Sequence, residues 1–171
     1  MKNPTLLKEM LDYRGRDEMP DDFDTFWNKQ VAEVEVPQDY QLLEKDFQIA
    51  YATCYELTFK SGNSGQIYAK LVVPKLSEKV PVLFHFHGYM GQGWDWADML
   101  AYTAAGWGVV SMDVRGQSGY SLDGDREVRG NTVKGYIIRG GSGWTGSAIF
   151  QGCLSGCLHL GRASGWFGLC G

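Results

Sequence analysis

Val80-Pro81-Val82-Leu83-Phe84-His85-Phe86-His87-Gly88-Tyr89 (VPVLFHFHGY) is the stretch on which the fold turns. Apart from His85, Val80 to Phe86 is continuously apolar, as a strand buried on both faces of a parallel sheet must be. The glycine-rich run His87-Gly88-Tyr89-Met90-Gly91-Gln92-Gly93 then breaks the strand. Trp94 to Ala105 reads as a helix, with Gly106 placed to cap its carboxyl end. Trp107 to Met112 is a second apolar strand and runs out into Asp113-Val114-Arg115-Gly116-Gln117. Upstream, Tyr51–Lys60 and Gln66–Val73 are β-rich and flank Ser61-Gly62-Asn63-Ser64-Gly65, which predicts a hairpin. The order hairpin, strand, loop, helix, strand predicts an α/β fold with a mixed sheet, an antiparallel start feeding a parallel part flanked by helices. The strand at 107–112 is expected to lack a neighbour, leaving a sheet edge and an apolar face open.

Nearer the amino end, residues 5–13 predict a short helix with Leu6, Leu7, Met10 and Leu11 on one side. Residues 21–34 predict an amphipathic one, from the spacing of Phe23, Trp27, Val31 and Val34. Asp21, Asp22 and Asp24 suit the positive end of its dipole. The chain has 171 residues, 44% hydrophobic and 21% charged, which fits one globular domain. A net charge of −4 with interspersed signs predicts no nucleic-acid or membrane partner. Met1-Lys2-Asn3-Pro4 opens no apolar leader, so the expected compartment is cytoplasmic and the four cysteines are expected to be unpaired.

Composition breaks sharply after Gly140. Residues 141–171 hold nine glycines and three of the four cysteines, but one charged residue, Arg162. Residues 1–140 are therefore read as part of a folded domain and 141–171 as a non-homologous, disordered tail. Its cysteines and histidine (Cys153, Cys157, His159, Cys170) match no familiar zinc spacing.

The loop at His87-Gly88-Tyr89 lies where ligands of open α/β sheets bind, beyond the carboxyl ends of strands. In α/β-hydrolases a loop in this place gives one backbone N–H to the oxyanion hole. The expected donor is Tyr89, with Gly88, Gly91 and Gly93 small enough to let the backbone approach. His87, and Asp113 ion-paired to Arg115, are expected to support the loop. His85 and His87 share a side of their strand, and a metal site would need a third ligand that nothing fixes at Asp95 or Asp98, so no metal is expected. Neither G-x-G-x-x-G nor a P-loop follows any strand. No serine has the flanking glycines of a G-x-S-x-G nucleophile elbow, and the last histidine after His87 is His159.

Phe59–Pro74 (FKSGNSGQIYAKLVVP), His87-Gly88-Tyr89, Met112–Gln117 (MDVRGQ), Ile138-Arg139-Gly140 and Asp21–Trp27 (DDFDTFW) resemble, in the same order, the acetyl xylan esterase and cephalosporin C deacetylase family. Ser118-Gly119 departs from the glycine-rich continuation usual there. The resemblance implies the amino-terminal portion of an α/β-hydrolase fold and a serine carboxylesterase that deacetylates sugars, xylo-oligomers and the cephalosporin nucleus. It also implies no cofactor and, in whole relatives, a homo-hexamer that this chain is not expected to form. Tyr89 matches the family's oxyanion and substrate-contact tyrosine, whereas no triad position matches.

Read one nucleotide later with permitted codons, the tail can encode FFRDVYLDVYTWAELV, which looks like the family's next helix, so a frameshift near Gly140 is expected. The chain is then a truncated, inactive esterase lacking its catalytic triad. The alternative is a non-catalytic module that binds carbohydrate, with Tyr89, Trp94 and Trp96 stacking on a sugar. A serine within hydrogen-bonding reach of a buried histidine, beside the Tyr89 amide, would overturn the inactive reading.

Overall fold

Two long strands, Ala52–Ser61 and Gly65–Pro74, pair within a five-stranded sheet. Residues 4–34, 37, 39–61, 65–123 and 157 are described by a computed structural model. The chain divides into two units, Met1–Glu33 and Val34–Gly171. The expected tail, 141–171, and the Ile138-Arg139-Gly140 match lie outside the described residues, save Cys157.

The first unit carries two helices. Helix α1 (Pro4–Asp12) starts on a proline, whose missing N–H is one that a first turn leaves unpaired anyway. Its stripe of Leu6, Leu7, Met10 and Leu11 is exposed. Helix α2 (Phe23–Ala32) has Asp22 at its N-cap position, without a side-chain capping hydrogen bond, and bears Asp24 in its first turn. Phe23 and Phe26 both meet Trp27 edge-on, at 6.3 and 5.3 Å. Val34, expected in this helix, lies beyond its end at Ala32 and is buried in the second unit.

The second unit is a sheet with the order β1-β2-β3-β5-β4. Its strands are β1 (Tyr40–Lys45), β2 (Ala52–Ser61), β3 (Gly65–Pro74), β4 (Val82–Phe86) and β5 (Gly108–Asp113), with helix α3 (Trp96–Ala104) between the last two. Pairing is antiparallel from β1 through β5 and parallel between β4 and β5, the mixed order expected. Gly106 takes φ +89 after α3, while its N–H reaches Thr103 O and that of Trp107 reaches Tyr102 O. That is a Schellman ending.

Strand β1 was not expected. Tyr40-Gln41-Leu42-Leu43-Glu44-Lys45 lacks alternation and five of its six residues are exposed, so its pairing comes from β2, in register from Tyr40–Phe59 to Lys45–Cys54. The open edge is also elsewhere than expected. Strand β5 is buried at all six positions because β3 and β4 flank it, whereas β4 is partly exposed throughout and has one strand neighbour among the described residues.

One face of the sheet gathers Leu57, Phe59, Ile67, Ala69, Leu71, Val110, Met112 and Val114, with Cys157 partly buried against them. Burial holds the Cys157 thiol up at about 11. The opposite face packs Ala52, Cys54, Val72 and Val109 on Met99 of α3. Fully burying a Leu, Ile or Met side chain stabilises by roughly 1.5–3 kcal/mol, so the central strands form a rigid base for what projects from their ends.

Candidate active site

Because β4 and β5 are parallel neighbours, the loops leaving them emerge side by side at one end of the sheet. The first runs from His87 to Asp95, the second from Val114 to Leu122. Five hydrogen bonds link the first loop to the end of β5 and the second loop. His87 Nε2 accepts the Val114 N–H at 2.8 Å. The Met90 N–H donates to Gln117 Oε1 at 2.6 Å, and Ser118 Oγ donates back to Met90 O at 3.1 Å. Asp113 Oδ1 accepts the Gly93 N–H at 2.6 Å, while the Trp94 N–H reaches Ser111 Oγ at 2.8 Å.

His87 is locked in one tautomer by these partners. The Val114 amide can only donate, so Nε2 must accept. The Gly88 carbonyl can only accept, and it lies 2.8 Å from Nδ1, which therefore carries the proton. The His87 ring thus ties the end of β4 to the end of β5.

Of the expected site residues, Tyr89 and Gly88 stand exposed on the first loop, Tyr89 at 46%. A Cβ on Gly88 would meet nothing within 4 Å, so this glycine makes no close approach within the protein. Gly91 and Gly93 do. A Cβ on Gly91 would lie 2.9 Å from Gly88 O, and one on Gly93 2.8 Å from Ser111 Oγ. Met90, between Gly88 and Gly91, takes φ +63, a left-handed conformation that costs a non-glycine residue about 1 kcal/mol or more.

The expected ion pair between Asp113 and Arg115 is corrected. Asp113 spends Oδ1 on Gly93 and Oδ2 on the Tyr120 N–H at 2.8 Å. Arg115, past the end of β5, turns to Asp123, with Nε and Nη2 at 2.9 and 2.5 Å from Oδ1 and both side chains buried. Ser121 completes the return of the second loop, accepting the Tyr68 N–H at 2.8 Å and donating to Asp113 O at 2.6 Å. Gln117, Ser118, Ser121 and Asp123 were all missed from the sequence. The signal available was the polar run after β5, which is buried at Gln117, Ser121 and Asp123.

The expected sugar-stacking platform is partly occupied from within. Trp94 stacks on His85 at 4.0 Å and on Tyr102 at 5.4 Å. Trp96 meets Phe47 edge-on, and Lys70 Nζ sits 5.7 Å above its ring. Lys70 also donates to Trp94 O at 2.8 Å, fixing where the first loop enters α3.

A serine does lie beside a histidine. Ser111 Oγ is 2.8 Å from His85 Nδ1. Yet Ser111 is 1% exposed, its Oγ already accepts the Trp94 amide, and Gly93 packs directly over it. A nucleophile needs access to a carbonyl and a base oriented by a third group. Among the described residues His85 has no carboxylate partner, and its pKa is lowered by burial and by nearby His87, so this pair reads as scaffold. Among the described residues no three His, Cys, Asp or Glu side chains stand close enough to hold a metal ion. None of the described helices is long and apolar enough to cross a membrane.

The family model described as Acetyl xylan esterase (AXE1) matches residues 1–151. Acetyl xylan esterase 1 from Thermoanaerobacterium sp. JW/SL YS485 superposes with a TM-score of 0.81 at 39% identity, over 91% of this chain and 49% of that one. An acetyl xylan esterase from Paenibacillus sp. R4 superposes at 0.70 and 22% identity, over 94% of this chain and 51% of its own, a likeness of fold. The chain thus spans about half the length of the structures it matches. No curated protein sequence matches it significantly.

Proposed function

Since this chain belongs to the acetyl xylan esterase family, we propose that it provides the oxyanion-hole half of a carboxylic ester hydrolase acting on small acetylated sugars and xylo-oligomers, and on the cephalosporin nucleus. No serine of the chain has the flanking glycines of a G-x-S-x-G elbow, so in this reading the chain alone does not turn over esters. Attack on an acetyl carbonyl builds negative charge on its oxygen. A preorganised backbone N–H aimed at that charge removes about 2.7–4 kcal/mol from the barrier. Tyr89 is the donor in this reading, and its exposed ring forms one wall for the sugar.

The observation that carries the reading is the pinned loop itself. His87, Met90 and Gly93 are each hydrogen-bonded to β5 or the segment after it, while Gly88 and Tyr89 at the apex are exposed. Oxyanion holes require such fixed geometry, because a donor that must reorganise loses its advantage.

Two measurements test it. Joined at Asp123 to the remaining half of the Thermoanaerobacterium esterase, this chain should support hydrolysis of p-nitrophenyl acetate, and Tyr89→Pro, which deletes the N–H, should lower kcat about 100-fold or more. The 171-residue chain alone should show no hydrolysis above buffer. Enzymatic turnover by it that disappears with Ser111→Ala would replace this reading with a Ser111–His85 pair.

A further inference from the structure

Two side chains from the second loop hold both polar groups of one residue in the first. Gln117 Oε1 takes the Met90 N–H and Ser118 Oγ gives its proton to Met90 O. Gln117 is 6% exposed, so its amide is fixed inside the protein rather than exchanging with water. Met90 is also one of two non-glycine residues described with positive φ. A residue in that conformation reverses the chain, and it stays so only where its surroundings hold it. The reversal falls immediately after Tyr89. The 2.6 Å bond further commits the Met90 N–H, which would otherwise be the adjacent donor on the same apex.

We propose that Gln117 is a positioning residue of the reaction. Its side-chain carbonyl, with Ser118, keeps Met90 left-handed, which fixes the direction of the Tyr89 amide and withdraws the Met90 amide from the substrate oxygen. This rests on the oxyanion-hole reading of the loop. A neutral amide suits the task better than a carboxylate, because a second negative charge would repel the developing oxyanion. Glycine enters the left-handed region at no steric cost, so a glycine at position 90 should make the hold unnecessary.

The experiment has two arms. In the 171-residue chain, hydrogen exchange at the Met90 amide should accelerate roughly tenfold in Gln117→Met, with the strands unchanged. In the joined esterase, Gln117→Met should lower kcat about 10- to 100-fold with KM within about twofold, and Met90→Gly added to it should restore most of the loss. Unchanged Met90 exchange, an unchanged kcat, or a folded double variant as impaired as Gln117→Met overturns the proposal. Should Gln117→Met fail to fold, the double variant decides alone: folded and active supports the proposal, while any other result overturns it. A joined enzyme that is inactive, or indifferent to Tyr89→Pro, sinks the oxyanion-hole reading instead, and Met90 exchange still reports whether Gln117 holds the loop.

Discussion

Asp113 reaches from the end of β5 to the amide of Gly93, 2.6 Å away in the loop that leaves β4. Its second oxygen takes the Tyr120 amide at 2.8 Å, so one buried carboxylate anchors two loops. Asparagine fills the same volume but turns one oxygen into an NH2, placing two donors face to face. Asp113→Asn should destabilise the chain by about 2–3 kcal/mol, the scale for an unpaired buried group plus a lost charged hydrogen bond. Urea denaturation followed by tryptophan fluorescence measures this, and a midpoint equal to wild type would remove Asp113 from its anchoring role.

Arg115 and Asp123 form a buried pair, with side-chain exposures of 4% and 0%. Removing one partner takes the opposing charge away from a buried ion, which typically costs about 3–5 kcal/mol. Arg115→Met should therefore destabilise by that order. Arg115→Met combined with Asp123→Leu should recover a good part of it, since neither charge is then buried. A double-mutant cycle with no coupling between the two would contradict the pair's energetic role.

Much of the sheet was legible because its strands are apolar enough to be recognised one at a time. The run Val82–Phe86, the hairpin around 62–64 and the Gly106 cap all follow from local chemistry. Strand β1 was not legible, because Leu42 and Leu43 stand side by side and the pairing is dictated by β2. The placing of β5 inside the sheet rather than at its edge depends on which strands meet, a relation between distant residues that no local pattern encodes. The loop at His87–Tyr89 was found from its position after a buried strand, yet its partners were not. Gln117 and Ser118 reach Met90 from 27 and 28 residues away, and Arg115 prefers Asp123 over Asp113 because the chain turns after β5.

Glycines in the two loops should respond differently to the same change. At Gly119 the backbone has φ +100 and an added Cβ would run into the Asp113 carboxylate. Gly119→Ala should therefore destabilise by about 1–3 kcal/mol. Gly88→Ala meets open space and should change the urea midpoint by no more than about 0.5 kcal/mol equivalent. In the joined esterase Gly88→Ala should nevertheless reduce activity, because the open space before the loop is where the substrate carbonyl is proposed to sit. Equal stability losses at the two positions would refute this division between a glycine required by packing and one required by access.

His85 links stability to pH in a direction that can be worked out. Burial disfavours its imidazolium, and the neighbouring His87 adds to the effect, so its pKa lies below the ordinary 6.5. In the unfolded chain the same ring titrates near that ordinary value. Between the two, the unfolded state binds more protons than the folded one, so folding weakens as pH falls. The contribution is complete above 6.5 and is lost on descending toward the lowered folded pKa. The urea midpoint should therefore drop between about pH 7.5 and about pH 5.5, and His85→Gln should flatten that drop. If wild type and His85→Gln lose stability in parallel over this range, the acid sensitivity belongs to other groups and His85 is only a spacer beneath Trp94.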